Sequence, residues 1–291
     1  MSTLPFLLVL ISAVTHGLWN FLAKRADDKD IFIGLSKLAE ALIFLVPFAI
    51  VLAMRGYGAA NWPLFVTVAA GFVFLNYFCL TQAYKQVELS IAYPISRAST
   101  LFLPLLAFIF IGERVDDVGW LSIGLITMAI FILQLPAFRW AELRQLGRKL
   151  AQPGIILALL AALMAASYTI WDKVAVSQIH PFLYFYSYTF LTSLFYAVLL
   201  RVRVAGTAVR TEWQQHKKAI IAVAVLNTFT YLLVLIALKV SKASYVGALR
   251  QVSLVVGVLL GWRFLGERMP PPKLVAVGLL LLGSALIAWA R

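Results

Sequence analysis

Apolar runs of about 20 residues, separated by short polar connections, recur along almost the whole of this 291-residue chain. A helix that crosses the hydrocarbon core of a bilayer needs about 20 mostly apolar residues. The runs of that length are 4–24, 31–54, 62–85, 89–111, 116–136, 154–176, 181–201, 218–239, 243–264 and 273–290. They lack the alternating pattern of membrane β-barrel strands. The sequence therefore predicts an all-α integral membrane protein with ten transmembrane helices.

The composition excludes a soluble protein and disfavours nucleic-acid binding. Hydrophobic residues make up 63% of the chain and charged residues 13%, whereas a soluble domain has about 25% charged residues. The net charge is +13, but the basic residues stand mostly in short connections, which favours anionic lipid headgroups as their partners. The first run lacks a charged lead-in and a cleavage site, so it is predicted to be a membrane helix and not a signal peptide.

The two halves of the chain repeat each other. Shifted by 154 positions, the matches are Tyr77 with Tyr231, Ala83 with Ala237, Lys85 with Lys239, Ser90 with Ser244, Ser99 with Ser253 and Gly112-Glu113-Arg114 with Gly266-Glu267-Arg268; at a shift of 152, Trp19-Asn20 meets Trp171-Asp172. These matches predict two five-helix repeats, 1–136 and 154–291, joined by a basic connecting loop over 137–153. Because five is odd, the second repeat enters the membrane from the opposite side, which defines an inverted-topology repeat.

Basic residues predict the orientation. Lys and Arg collect on one side of the predicted bundle, including the two longer basic stretches 137–153 and 201–217. Loops rich in Lys and Arg stay in the cytoplasm. We therefore expect both termini on the periplasmic side of a bacterial inner membrane.

With this plan the chain resembles the EamA-type ten-helix members of the drug/metabolite transporter superfamily. The motifs that carry the resemblance are Ala13-Val14-Thr15-His16-Gly17-Leu18-Trp19-Asn20 in the first helix, Phe110-Ile111-Gly112-Glu113-Arg114 and Phe264-Leu265-Gly266-Glu267-Arg268 at the ends of the fourth and ninth helices, and Pro104. The resemblance implies a secondary carrier for metabolites or amphiphilic compounds, often an exporter. It also implies a cavity lined by helices three, four, eight and nine. One departure is that the loop 54–58 is poor in basic residues, so the charge bias is reversed relative to that family's usual pattern.

Several charged residues are predicted to lie within the bilayer, where they are costly unless they pair or serve transport. His16 shares a helix face with Trp19 and Asn20, and an imidazole that titrates near neutral pH could carry a coupling proton. The alternative is a structural hydrogen bond to a neighbouring carbonyl. Lys37 and Glu40, three residues apart, form either a salt bridge or a switchable pair in which the glutamate takes a proton.

Arg97 in the fourth helix and Arg250 in the ninth are the best indication of the substrate. Arginine binds a carboxylate or a phosphate through two parallel hydrogen bonds, so the pair predicts an anionic group on the ligand. The alternative is that Arg97 pairs with Glu40 and Arg250 with Asp172, and Asp172 is also a candidate for proton coupling or gating.

Polar and aromatic side chains complete the predicted site. The candidate substrate-binding residues besides the two arginines are Trp19, Asn20, Asn76, Tyr77, Tyr93, Trp171, Tyr231 and Gln251. Hydrogen bonds between helices are the alternative role for these groups. The aromatic residues of the seventh helix are predicted to contact lipid for the most part.

Catalytic motifs are absent from the sequence, and we expect no enzyme activity and no cofactor. Three scattered histidines predict no metal site, and the single cysteine, Cys79, allows no intrachain disulfide. The leading prediction is a secondary transporter that works by alternating access, with H⁺ as the possible coupling ion, as a monomer or homodimer. The alternatives are a flippase for a lipid with a phosphate headgroup, and a membrane enzyme or non-transporting partner protein.

Overall fold

The computed structural model describes residues 1–24, 26–87, 92, 95–133, 135 and 152–290, and every regular element within them is an α-helix. The first half contains α1 (Thr3–Lys24), α2 (Lys29–Ile43), α3 (Leu45–Arg55), α4 (Trp62–Gln86), α5 (Ser99–Ile111) and α6 (Asp117–Ile132). The second half contains α7 (Pro153–Gln178), α8 (Pro181–Arg203), α9 (Gly206–Val240), α10 (Ala243–Leu249), α11 (Val252–Leu265) and α12 (Pro271–Ile287). The predicted connecting loop 137–153 lies almost entirely outside the described residues.

Six spans in the described part of the chain are long and apolar enough to cross a membrane: α1, α4, α7, α8, α9, and α10 with α11 taken together. Helices α2 and α3 make a seventh if they are counted as one span, which bends by 46° at Phe44. Helices α5, α6 and α12 are apolar but shorter than a full span. The protein is therefore an all-helical, multi-pass membrane protein, and ten crossings stay a prediction.

The basic stretch 201–217 is mostly helical, which corrects the prediction of a long loop. Helix α8 continues to Arg203, and α9 begins at Gly206 and runs for 35 residues. At 1.5 Å per residue α9 is about 52 Å long, more than the thickness of the hydrocarbon core. The segment 207–217 contains neither proline nor glycine, so nothing in it ends a helix. The hydropathy of the sequence identifies the apolar part of α9 but not the residue at which the helix begins.

Helices α2 and α8 show that the two halves run in opposite directions. These helices occupy the same place in the two predicted repeats, and they pack against each other. Gly34 lies against Leu200, whereas farther along α2 the carbonyl of Ala41 accepts a 2.8 Å hydrogen bond from the hydroxyl of Tyr186. Residue numbers rise along α2 as they fall along α8, so the equivalent helices are antiparallel.

The first helix of each half packs along the third helix of the other half. In the pair α1 and α9, the Ser12 hydroxyl donates to the carbonyl of Thr230 at 2.9 Å, and Asp27, just beyond α1, lies 3.2 Å from His216. These contacts make α1 and α9 antiparallel.

Helices α4 and α7 form the matching pair. Asn76 donates to the carbonyl of Ala161 at 2.7 Å, and the indole of Trp171 donates to the carbonyl of Phe65 at 2.9 Å. This pair is also antiparallel. The exchange of first and third helices interlocks the two halves, so neither half packs as an independent unit.

The repeated Gly-Glu-Arg tripeptides end helices, as predicted. Gly112 and Gly266 follow α5 and α11 with φ of +66° and +67°, a left-handed conformation that glycine adopts without steric cost. The carboxylate of Glu113 then accepts hydrogen bonds from the backbone N–H groups of Ala243 (2.7 Å) and Ser244 (2.9 Å) at the start of α10. The tripeptide of the first half thereby caps a helix of the second half.

Replacement of Glu113 by alanine should destabilise the fold. The buried N–H groups at the start of α10 would lose their acceptor, at a cost of roughly 2–4 kcal/mol. Thermal unfolding in detergent should show a clearly lower midpoint for Glu113→Ala. Asp117→Ala, which removes an exposed acid nearby, is the control and should unfold like the wild type. Equal midpoints for both variants would contradict the capping role.

Candidate functional site

The two predicted arginines lie at matched breaks in their helices. A turn at Arg97 precedes α5, and a turn at Arg250 and Gln251 separates α10 from α11. At both places the backbone makes hydrogen bonds three residues apart: Thr100 N–H to the Arg97 carbonyl (3.3 Å) and Ser253 N–H to the Arg250 carbonyl (3.1 Å). Such tightened turns within a helix often mark a hinge or a binding site.

Arg97 and Arg250 lie close enough to the same two side chains, His16 of α1 and Tyr168 of α7, for their positive charges to act on both. His16 and Tyr168 are themselves equivalent at the repeat shift of 152. The structure therefore brings together one arginine and one polar ring from each half.

A cavity of about 260 Å³ opens beside this region. His16, Asn20, Arg97 and Ser253 are among the residues that line it. The His16 ring meets the Trp19 ring edge-to-face at 4.9 Å between centroids. The buried indole nitrogen of Trp19 has no hydrogen-bond partner among the residues that the structure describes. This combination of apolar walls with a few converging polar groups is typical of a small-molecule site.

Asp172 is the buried acid of the second half. Its carboxylate is 2% exposed and accepts hydrogen bonds from the hydroxyls of Tyr184 (2.6 Å) and Tyr231. The guanidinium carbon of Arg250 lies 5.4 Å from the centre of the Tyr231 ring. Tyr231 thus contacts both Arg250 and Asp172, and the Arg250 charge also acts on the carboxylate directly. The alternative pairing of Arg250 with Asp172 is therefore present as a charge interaction with Tyr231 beside it.

Glu40 is the buried acid of the first half. It is 1% exposed and accepts hydrogen bonds from Lys37 (2.8 Å), Asn227 (2.9 Å) and Thr228 (2.6 Å). The predicted salt bridge between Lys37 and Glu40 is therefore present. The predicted pairing of Glu40 with Arg97 is wrong, because Lys37, Asn227 and Thr228 are the partners of this carboxylate. Helix α9 donates hydrogen bonds to both acids. Asn227 and Thr228 donate to Glu40, and Tyr231, one turn farther along the helix, donates to Asp172.

The sequence profile of the EamA-like transporter family matches residues 3–135 and again residues 152–289. Each match covers one half of the chain, and together they leave only short segments unmatched. The chain belongs to the EamA-like transporter family. It is thereby a member of the drug/metabolite transporter superfamily, as the sequence predicted.

A solved structure entitled "Crystal structure of protein" shares the fold of this EamA-like chain. The TM-score is 0.73, and the match covers 99% of this chain and 96% of that chain. Since the two sequences are only 15% identical, the likeness concerns the fold alone. No curated protein sequence matches this chain.

Asn76, Trp171 and Asn20, which were predicted to bind substrate in this EamA-like transporter, donate hydrogen bonds to backbone carbonyls of the protein. Asn76 and Trp171 bond to carbonyls across the α4–α7 contact. Asn20 bonds to the carbonyl of His16 at 2.7 Å, one turn back on its own helix. Asn76 and Trp171 therefore fit the alternative role, which is to hold helices together.

The remaining predicted groups are distributed around the centre. Tyr77 is 46% exposed and lies near Tyr168. Gln251 bonds weakly to the carbonyl of Gly247 (3.4 Å), and its buried side-chain oxygen has no hydrogen-bond partner in the part of the chain that is described. Tyr93 lies outside the described residues.

Sequence reasoning missed Tyr168 and most of the aromatic residues of α8. Tyr184, Phe185 and Tyr188 are buried in the main core, so the prediction that the aromatic residues of this helix mostly contact lipid is wrong for them. Tyr188 lies between Tyr184 and Tyr231. The repeat register could have identified Tyr168, because it places that residue opposite His16.

Removal of the Tyr231 hydroxyl should destabilise the protein by about 1–3 kcal/mol, because a buried carboxylate would lose one of its two donors. Tyr77→Phe is a matched control at the equivalent position of the other half. Unfolding followed by tryptophan fluorescence should give a lower midpoint for Tyr231→Phe and an unchanged one for Tyr77→Phe. The same small effect from both variants would show that Asp172 does not depend on this bond.

Proposed function

We propose that this EamA-like protein is a secondary transporter for a small polar metabolite with an anionic group, such as an amino acid, an organic acid, or a phosphate or phosphonate compound. The observation that carries the proposal is the pair of arginines at matched helix breaks in opposite halves, both close to His16 and Tyr168. Two guanidinium groups in a region of low dielectric attract a carboxylate or phosphate strongly.

Hydrogen bonds within the protein hold the two buried acids, Glu40 and Asp172. Glu40 takes its hydrogen bonds from a lysine, an amide and a hydroxyl, and Asp172 takes its bonds from two phenols. The protein therefore holds both buried carboxylates through side chains other than the two arginines.

Alternating access is the mechanism that suits this architecture. In the proposal, the chain crosses the bacterial inner membrane ten times as two inverted repeats, with both termini in the periplasm. Breaks in otherwise continuous helices supply both ligand contacts and flexible points, and here each break carries an arginine. Rocking of one half against the other would open the arginine region to each side in turn. No chemical conversion is needed, and transport would draw on ion or substrate gradients.

Proton coupling would use the carboxylates that α9 connects. Protonation of Glu40 would weaken its salt bridge with Lys37 and its bonds to Asn227 and Thr228. Helix α9 could then shift relative to α2. Tyr231 lies on the same helix, donates a hydrogen bond to Asp172 and contacts Arg250 through its ring. A shift of α9 would therefore also move the groups around Arg250.

The two arginines should be required for transport. Ligands are first identified by thermal stabilisation of the purified protein with amino acids, organic acids, phosphate esters, phosphonates and phospholipids, because a ligand stabilises the state that it binds. Uptake of a radiolabelled hit into proteoliposomes should fall at least about tenfold in Arg97→Ala and Arg250→Ala, since a charged partner is lost. Arg263→Ala, which changes an exposed arginine at the end of α11, is the control and should retain uptake.

Wild-type uptake in both arginine variants would exclude the anion-binding role. Stabilisation by phospholipids alone, together with movement of a labelled phospholipid between leaflets, would indicate a flippase instead of a metabolite carrier.

Neutralisation of Glu40 should abolish the coupling of transport to protons and leave substrate exchange intact. In Glu40→Gln we expect exchange of labelled for unlabelled substrate to continue, because exchange needs no net proton movement. Accumulation driven by an imposed pH gradient should be lost, because the variant has no carboxylate to protonate at this position. Asp117→Asn serves as the control. Undiminished gradient-driven accumulation in Glu40→Gln would contradict coupling through this residue.

A further inference from the structure

We propose that Asp27, Glu212 and His216 form a binding site for a divalent transition-metal ion of the Zn²⁺ class. We call these three residues the metal triad. Asp27 belongs to the connection between α1 and α2 in the first half, and the other two residues belong to α9 in the second half. The site lies far from the helix breaks along α1 and α9 and does not depend on the identity of the substrate.

The ligand atoms of the metal triad are close together. One ligand atom from each residue lies within 4.8 Å of the others. His216 Nε2 is 3.2 Å from Asp27 Oδ2 and 3.9 Å from Glu212 Oε1. Ligands of a tetrahedral zinc ion, with bonds of 2.0–2.1 Å, stand about 3.3 Å apart. The Asp27 side chain is 70% exposed and stands between helices, so a small movement would complete this geometry.

Glu212 supplies an independent indication that a cation belongs here. The residue is 3% exposed, and its Oε1 atom, which faces His216, has no hydrogen-bond partner among the described residues. The other oxygen, Oε2, accepts from the backbone N–H of Asp28 at 3.3 Å. A buried carboxylate oxygen without a partner is costly. A bound metal ion would satisfy it.

Helix α9 holds two of the ligands in position. Glu212 and His216 are four residues apart and therefore lie on the same face, which is turned inward. Lys217 and Lys218 are exposed, so their charges project away from the metal triad. The His216 ring also packs edge-to-face against Phe32 of α2, 6.3 Å between centroids. This packing fixes the direction of the imidazole.

The chemistry of the ligands selects the ion. One imidazole and two carboxylates suit Zn²⁺ and its neighbours Co²⁺ and Ni²⁺, whereas Mg²⁺ and Ca²⁺ prefer sites built from oxygen alone. Three protein ligands leave the fourth position of zinc for water. Since the ligands come from both halves, a bound ion would tie α1 and α2 to α9 at this end of the bundle. The prediction that no metal site forms rested on the scattered histidines, but a single histidine is sufficient when the fold supplies two carboxylates.

Zinc binding to the purified protein tests the site directly. Protein with a streptavidin-binding tag, free of added histidines, is stripped with EDTA and titrated with ZnCl₂ or MgCl₂ by calorimetry. We expect one Zn²⁺ per chain, a higher thermal midpoint with Zn²⁺, and no comparable effect of Mg²⁺. His216→Ala should weaken Zn²⁺ binding at least about tenfold. His180→Ala, at the opposite end near Lys239, should bind like the wild type.

A second variant tests whether weaker Zn²⁺ binding could result from a misfolded protein. Asp27→Asn changes an exposed side chain and keeps an oxygen that can accept a hydrogen bond from His216. The metal-free thermal midpoint should therefore change little, whereas Zn²⁺ binding should weaken. Absence of stoichiometric Zn²⁺ binding by the wild type would overturn the proposal. Undiminished affinity in both Asp27→Asn and His216→Ala would also overturn it.

Discussion

The antiparallel packing of equivalent helices is the constraint on which the rest of the structure depends. Helices α2 and α8 run in opposite directions. The first helix of each half packs beside the third helix of the other half. A membrane interior offers the backbone no partner except its own helix, so a break is tolerated only where protein surrounds it. The interlocked halves provide that protection for both breaks, and this brings Arg97 and Arg250 to one region.

The residues of the candidate site occupy equivalent positions in the two halves, but their hydrogen bonds differ. Trp171 donates its indole N–H to a carbonyl of α4, whereas the equivalent N–H of Trp19 has no partner among the residues described. Asp172 is held by two tyrosines, whereas its counterpart Asn20 is exposed and bonds only within its own helix. The second half therefore holds its tryptophan and its acid through bonds to other helices, whereas Trp19 and Asn20 make no such bond within the part of the chain that is described.

Much of this arrangement could be predicted from the sequence, because hydropathy and internal repetition are local signals. They predicted the helical membrane fold, the repeat, the helix-ending glycines and the arginines in equivalent helices. Bond partners were not predictable, because they depend on which helices meet. Glu40 had two candidate partners in the sequence, Lys37 and Arg97, and only the packing of α2 against α9 decides between them. The extension of α9 through 206–217 and the buried aromatic face of α8 were not predicted. Hydropathy measures the polarity of each residue and contains no information about the helices that pack against it.

The most direct test of the central claim is a double-mutant cycle on ligand affinity with Arg97→Gln, Arg250→Gln and the combined variant, measured by calorimetry with the stabilising anion. If both guanidinium groups hold the same anionic group, the loss in the combined variant should differ from the sum of the single losses by more than about 0.5 kcal/mol. Additive losses within that margin would mean that the two arginines act at separate places, which would exclude a shared anion site.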